Sequence, residues 1–128
     1  MTGDSRLGMS ITHRRYIPHS HAHYGGSLVD GAYVLGLFGD VATDLGIHSD
    51  GDEGLFASYS DVQFIDAVRG GDVVEVTATI VRVGKRSRDV EFVARVMARS
   101  TPDVSESAAS PLTPPLVCTT AKGTVVVP

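Results

Sequence analysis

The chain predicts an α+β domain in which an antiparallel sheet of about five strands wraps around one long central helix. Three observations carry that expectation. The stretch from Leu28 to Leu45 places apolar residues at helical spacing and contains no proline. Several later stretches alternate apolar with polar residues at period two, as strands with one buried and one wet face do. Turn signals, Gly70-Gly71-Asp72 and Gly84-Lys85-Arg86-Ser87, separate them.

The helix opens at a glycine elbow, His23-Tyr24-Gly25-Gly26-Ser27. Ser27 followed by Asp30 resembles a capping box, with Asp in place of Glu or Gln. From Leu28 to Leu45 the helix would span roughly 27 Å at about 1.5 Å per residue. Val34, Leu37, Phe38, Val41 and Leu45 make its bulky apolar face. Gly31, Ala32, Gly36, Gly39, Ala42 and Gly46 make a small-residue face where another backbone can approach closely. Tyr33, Asp40 and Asp44 lie between the two faces, with Asp30 near the start. Each interior glycine costs about 1 kcal/mol relative to Ala, so close packing must offset the loss. Backbone N–H groups of Gly25 and Gly26, at the positive end of the helix, are placed to hold a phosphate or a developing oxyanion.

Residues 1–8 are polar and are expected to be loose, leaving residues 9–128 as a single domain. Met9 to Ile17 reads as a first strand, ended by Pro18. His19, His21 and His23 follow at two-residue spacing, which on extended chain would align their rings. They make either a metal site or a polar loop with one working histidine, and no cysteine or HExxH frame accompanies them. After the helix, His48 to Gly54 is an acidic turn with neither the glycine nor the closing glutamate of an EF-hand. Within it Glu53 is either solvated or, standing before Leu55-Phe56-Ala57, a desolvated carboxylate with a raised pKa. Leu55 to Phe64 changes phase near Ser60, which suggests a bulge. Asp72 to Val83 and Arg88 to Arg99 alternate cleanly. Ser100 to Pro115 reads as a long excursion, and Leu116 to Val127 as the last strand. One strand, one buried helix and four antiparallel strands make the hot-dog fold, whose open side is usually closed by a second copy.

Composition limits the function. The chain has 128 residues and a net charge of −4, which argues against bulk nucleic-acid binding. No run of about 18 apolar residues or signal-peptide core appears, so a cytoplasmic protein without a membrane partner is expected. The one cysteine, Cys118, has no intrachain partner and reads as a packed strand residue rather than a nucleophile.

Four segments, Ala22 to Gly26, Leu28 to Ala32, Leu37 to Thr43 and Asp50 to Phe56, resemble the hot-dog ammonia-lyases that act on β-aminoacyl-CoA. That family includes 3-aminobutyryl-CoA ammonia-lyase of lysine fermentation and β-alanyl-CoA ammonia-lyase. The likeness continues through Val83-Gly84, Ser87-Arg88, Ser105 to Ala109 and Pro115 to Val117. It implies a CoA thioester substrate, reversible loss of ammonia to give an enoyl-CoA such as crotonyl-CoA or acryloyl-CoA, and no metal or other cofactor. It also implies assembly into a homodimer or larger homo-oligomer.

The residue types suit that chemistry. A thioester α-proton is weakly acidic, so a base and an electrophile must act together. The N–H groups near Gly25 and Gly26 are the candidate electrophile. Glu53, Asp40 and His23 are the candidate bases, with Glu53 favoured and Asp40 as its partner. Tyr24 or His23 would relay the proton of the departing ammonia. Asp30 either joins them or caps its own helix, and Asp44 is expected to face solvent or an interface. Arg82, Lys85, Arg86, Ser87 and Arg88 crowd the Gly84 turn and are the candidate CoA contacts, or else an ordinary solvated turn. Three rivals remain: an acyl-CoA thioesterase with Asp40 activating water, an enoyl-CoA hydratase, and a non-catalytic acyl-CoA-binding module.

Overall fold

The computed structural model describes residues 3–128. The elements run β1 (Ser10–Tyr16), β2 (Leu28–Val29), α1 (Gly31–Asp50), β3 (Leu55–Phe64), β4 (Val68–Arg69), β5 (Val73–Val83), β6 (Ser87–Ser100) and β7 (Ala109–Val126). Five strands form one antiparallel sheet in the order β1-β5-β6-β7-β3, curved around α1. β2 and β4 form a separate two-stranded ribbon, pairing Leu28 with Arg69 and Val29 with Val68.

The core follows from the two periodicities. Val34, Leu37, Phe38, Val41 and Leu45 of α1 are all buried, as their helical spacing requires. They meet Val74, Val76, Ala78 and Ile80 of β5 and Val90, Phe92, Ala94 and Val96 of β6, the buried half of each alternating strand. Phe38 stacks on Phe92 with ring centroids 4.9 Å apart. Burying a side chain of this size contributes about 1.5–3 kcal/mol.

Both helix ends differ from expectation. Ser27 is not the cap, because it sits at φ 60° and Leu28 and Val29 are drawn into the ribbon with β4. Asp30 caps instead, accepting the Tyr33 N–H at 3.1 Å. The far end runs past Leu45 to Asp50 and stops at Gly51, whose left-handed conformation and N–H bond to Ile47 O close the last turn. Gly46 is a close approach rather than a terminator, since a Cβ there would lie 2.8 Å from Asp52 O.

The small-residue face divides. Gly31 lies under the Phe64 ring, with no room for a Cβ. Gly36 and Gly39 face open space in the single chain. Beside them β3 is an edge strand, with Leu55 63% and Phe64 57% exposed. Its inward alternation is therefore realised only in part, at Tyr59 and Val62, and its register shifts between Phe56 and Ser58 and between Ser60 and Gln63.

Two further expectations are corrected. The last strand begins at Ala109, not Leu116, and includes Pro111, Pro114 and Pro115. These prolines are tolerated because this half of β7 pairs only with β6, and a register shift between Val96 and Ala98 loops residues 112–115 out. Of the tail expected to be loose, residues 1 and 2 lie outside the described residues. The remainder is docked: Gly8 N–H bonds Ile80 O at 2.9 Å, and Arg6 bridges Asp4 and Asp50, each at 2.6 Å.

Candidate active site

The elbow is held from two sides. Tyr24 N–H donates to Leu28 O at 3.2 Å, and Gly70 N–H donates to Ser27 O at 2.9 Å. Gly26 takes φ 74°, a conformation glycine supplies without strain. The elbow precedes the helix rather than forming its first turn, so the N–H groups of Gly25 and Gly26 stand beside the helix terminus and not on it.

His23 and Asp30 meet here, Nε2 to Oδ1 at 2.8 Å. That bond, with the Tyr33 N–H, holds the Asp30 carboxyl below the usual carboxylate range. Asp30 therefore caps its own helix and also pairs with the exposed His23. Tyr24 packs on His23 with ring centroids 4.5 Å apart. His23, Tyr24, Gly25 and Gly26 are thus brought together at one end of α1.

The three histidines diverge, because His19–His21 is a 3-10 turn rather than extended chain. His19 lies against Gly71, His21 against the Tyr33 ring, and His23 on Asp30. Among the described residues no group of three or more metal-ligating side chains forms. His13 instead bonds Asp44 at 2.6 Å, and His48 bonds the Asp44 carbonyl at 2.9 Å, so Asp44 is engaged rather than merely solvated.

Within one chain, the favoured carboxylates are not at the elbow. Glu53 is exposed just beyond the C-terminus of α1, some 30 Å from the elbow at about 1.5 Å per residue. Asp40 is exposed midway along the helix, beside Tyr59. Burial, and then the Asp40 charge, push the Tyr59 phenol up to about 12, and its hydroxyl donates to Leu35 O at 2.6 Å.

The Gly84 turn also lies at the far end of α1, and its cluster is partly spent. Arg88 is buried and grips Asp50 while donating to Gly84 O and Ser87 O, so its guanidinium is committed within the fold. Arg82 pairs with Asp89 at 3.5 Å. Lys85 and Arg86 remain exposed, and Ser87 is half-buried. Cys118 is fully buried with its thiol pushed up by burial, as a packed strand residue.

Sequence reasoning missed the cleft beside the elbow. It measures about 820 Å3 and is lined by Gly26 and Ser27, by Arg69 and the Gly70-Gly71 turn, by Arg99, and by the excursion around Ser107. Its frame is Asp72, fully buried, which takes Arg99 Nε at 3.0 Å, Arg99 Nη2 at 2.9 Å and the Arg69 N–H at 2.8 Å. The only sequence signal was Gly70-Gly71-Asp72, which also reads as a plain turn.

Comparison with known proteins agrees with this architecture. Residues 27–98 match the family model for the thioesterase superfamily. The chain is 50% identical over 107 residues to a 3-aminobutyryl-CoA ammonia lyase from Acetoanaerobium sticklandii, covering 84% of this chain and 85% of the relative. Among solved structures it is similar to the β-alanyl-CoA:ammonia lyase from Clostridium propionicum, with a TM-score of 0.89, 33% identity, and 94% and 86% of the two chains covered. A hexameric hotdog fold thioesterase of Campylobacter jejuni shares the fold, with a TM-score of 0.74 at 19% identity over 90% of this chain and 80% of that one. The chain belongs to the β-aminoacyl-CoA ammonia-lyase family, within the thioesterase superfamily.

Proposed function

We propose that the protein reversibly eliminates ammonia from a β-aminoacyl-CoA, 3-aminobutyryl-CoA or β-alanyl-CoA, to give crotonyl-CoA or acryloyl-CoA. The observation that carries this is the 50% identity to a 3-aminobutyryl-CoA ammonia lyase over 84% of the chain, which includes the elbow, α1 and Glu53. A base takes the α-proton, the thioester oxygen gathers the charge at the Gly25 and Gly26 N–H groups, and the C–N bond breaks with its electron pair leaving on ammonia. His23, which Asp30 holds and Tyr24 packs against, relays the proton of the departing amine in this reading. The thioester itself acidifies the α-carbon, so the reaction is written without a metal or other cofactor.

The site is completed by a second copy. Antiparallel pairing of the exposed β3 edge with its own copy reverses the neighbouring helix. The C-terminal end of one α1, with Glu53, then lies alongside the N-terminal half of the other, with the elbow. Gly36 and Gly39, open in the single chain, allow the two helices to approach closely. Glu53 then acts as base across the interface and Asp40 holds the ammonium. No helix among the described residues is long and apolar enough to cross a membrane, and the free buried thiol of Cys118 suits a reducing cytoplasm.

The test is to incubate the protein with crotonyl-CoA or acryloyl-CoA, with and without ammonium, following enoyl absorbance and free thiol. Ammonium-dependent loss of absorbance without thiol release is the expected result. Thiol release with or without ammonium would make it a thioesterase, consumption without ammonium a hydratase, and no change a binding module.

A further inference from the structure

We propose that the cleft beside the elbow holds the phosphate groups of the CoA portion of the substrate, with Arg69 and the outer edge of the Arg99 guanidinium as ligands; this rests on the β-aminoacyl-CoA reading. Four observations support it. First, the cleft is a built site. Asp72, fully buried, fixes Arg99 through two bonds, and Ala67 O takes a further Nη2 proton at 2.8 Å. Nη1 is left without a partner among the described residues while Arg99 lines the cleft. A guanidinium held this way presents N–H donors to an oxyanion with little rotamer freedom left to lose.

Second, Arg69 lines the same cleft, is exposed, and pairs with no carboxylate among the described residues. Its backbone is pinned on both sides, by pairing with Leu28 and by its N–H bond to Asp72. Ser100 and Ser107 add hydroxyls, and Gly70 and Gly71 let the ligand approach the backbone. The charges are locally balanced, with Asp72 set against Arg99 and Glu106 also on the rim. Recognition there comes from directed donors rather than bulk positive potential, as suits a protein of net charge −4.

Third, the cleft measures about 820 Å3, within the roughly 300–1,000 Å3 of small-molecule and cofactor pockets in general. Fourth, the cleft is continuous with the elbow, since Gly26 and Ser27 line both. The Gly84 turn of the same chain lies the length of α1 away, and its Arg88 is committed to Asp50.

The experiment measures ammonia addition to crotonyl-CoA and to crotonyl-pantetheine, which lacks the nucleotide, by wild-type protein and Arg69→Ala. Calorimetric binding of CoA, dephospho-CoA and pantetheine accompanies it. Arg69 is exposed, so the variant is expected to fold, and its circular dichroism checks this. The expected result is a KM for crotonyl-CoA raised at least about tenfold in Arg69→Ala, the loss of one charge-assisted hydrogen bond, with kcat little changed. KM for crotonyl-pantetheine should be the same in both proteins. A loss of CoA affinity that dephospho-CoA reproduces places the contact at the pyrophosphate; a loss confined to CoA places it at the 3′-phosphate. Equal CoA affinity in wild type and variant, with lyase activity present, overturns the site and leaves the function standing. Failure of the wild-type protein to bind CoA or consume crotonyl-CoA overturns both.

Discussion

The guanidinium of Arg88 grips both oxygens of Asp50, Nη2 to Oδ1 at 2.8 Å and Nε to Oδ2 at 3.1 Å, with each side chain only 7% exposed. This pair ties the last turn of α1 to the Gly84 turn, and Arg6 adds a second cation on Asp50 from the N-terminal segment. Removing Arg88 strands a largely buried carboxylate. Arg88→Ala should cost about 3 kcal/mol, less than total loss of a buried pair only because Arg6 and Ser49 still reach Asp50. In a domain this size that is a fall in Tm of roughly 10 °C by calorimetry. An unchanged Tm would mean that the pair does not hold the helix end.

The same pair sets the acid limit of the fold. The Arg88 hydrogen bonds hold the Asp50 carboxyl well below its ordinary value of 3.8. Asp30 is lowered by His23, and Asp44 by His13. Each carboxyl binds its proton less readily folded than unfolded, so the unfolded chain takes up protons first. Stability from these groups is full above about pH 5 and drains away as pH falls through 4 toward 2. Tm measured from pH 7 to 3 should be level at first and then drop, and Asp50→Asn should flatten the drop.

Much of this fold is legible in the chain because one rule governs each element. Phe38 and Val41 are buried because helical spacing puts them on the sheet, and Val76 and Ile80 because strand spacing puts them under the helix. What was not legible depends on contacts distant in sequence. Ser27 looked like a cap, but Arg69 pairs with Leu28 and draws the segment into a ribbon, so the cap falls to Asp30. Arg88 looked like one more surface cation until Asp50, 38 residues away, claimed it. The proline-rich half of β7 looked like a loop because its edge position, which makes proline acceptable, cannot be read from composition. Arg69 and Arg99 carried no motif and Asp72 only a turn signal, and only the fold makes them neighbours of Gly26.

Gly36 separates a free helix face from an interface. Beyond its own turn of helix, no atom of the described residues stands within 4 Å of where its Cβ would be, so replacing glycine should favour the helix by up to about 1 kcal/mol. In the proposed dimer the same side chain would run into the second α1. Gly36→Leu should therefore leave a folded monomer with native circular dichroism, a smaller mass by light scattering, and no lyase activity. A variant that stays oligomeric and active would place the interface elsewhere.

Glu53 and Gly26 provide the sharpest test, because they lie at opposite ends of α1 in one chain and come together only in the proposed dimer. Glu53→Gln removes the base and should lower turnover at least about 100-fold, the scale of acid–base groups. Gly26→Val forces a branched side chain to φ 74° and should disable the elbow. Each pure variant is then expected to be inactive. If the two residues act across the interface, co-expressed heterodimers contain one site with both residues intact and one with neither. Random pairing makes about half of the dimers mixed, so about a quarter of wild-type activity should return. If Glu53 and Gly26 served the same chain, no pairing would restore a complete site, and the mixture would stay as inactive as its parents.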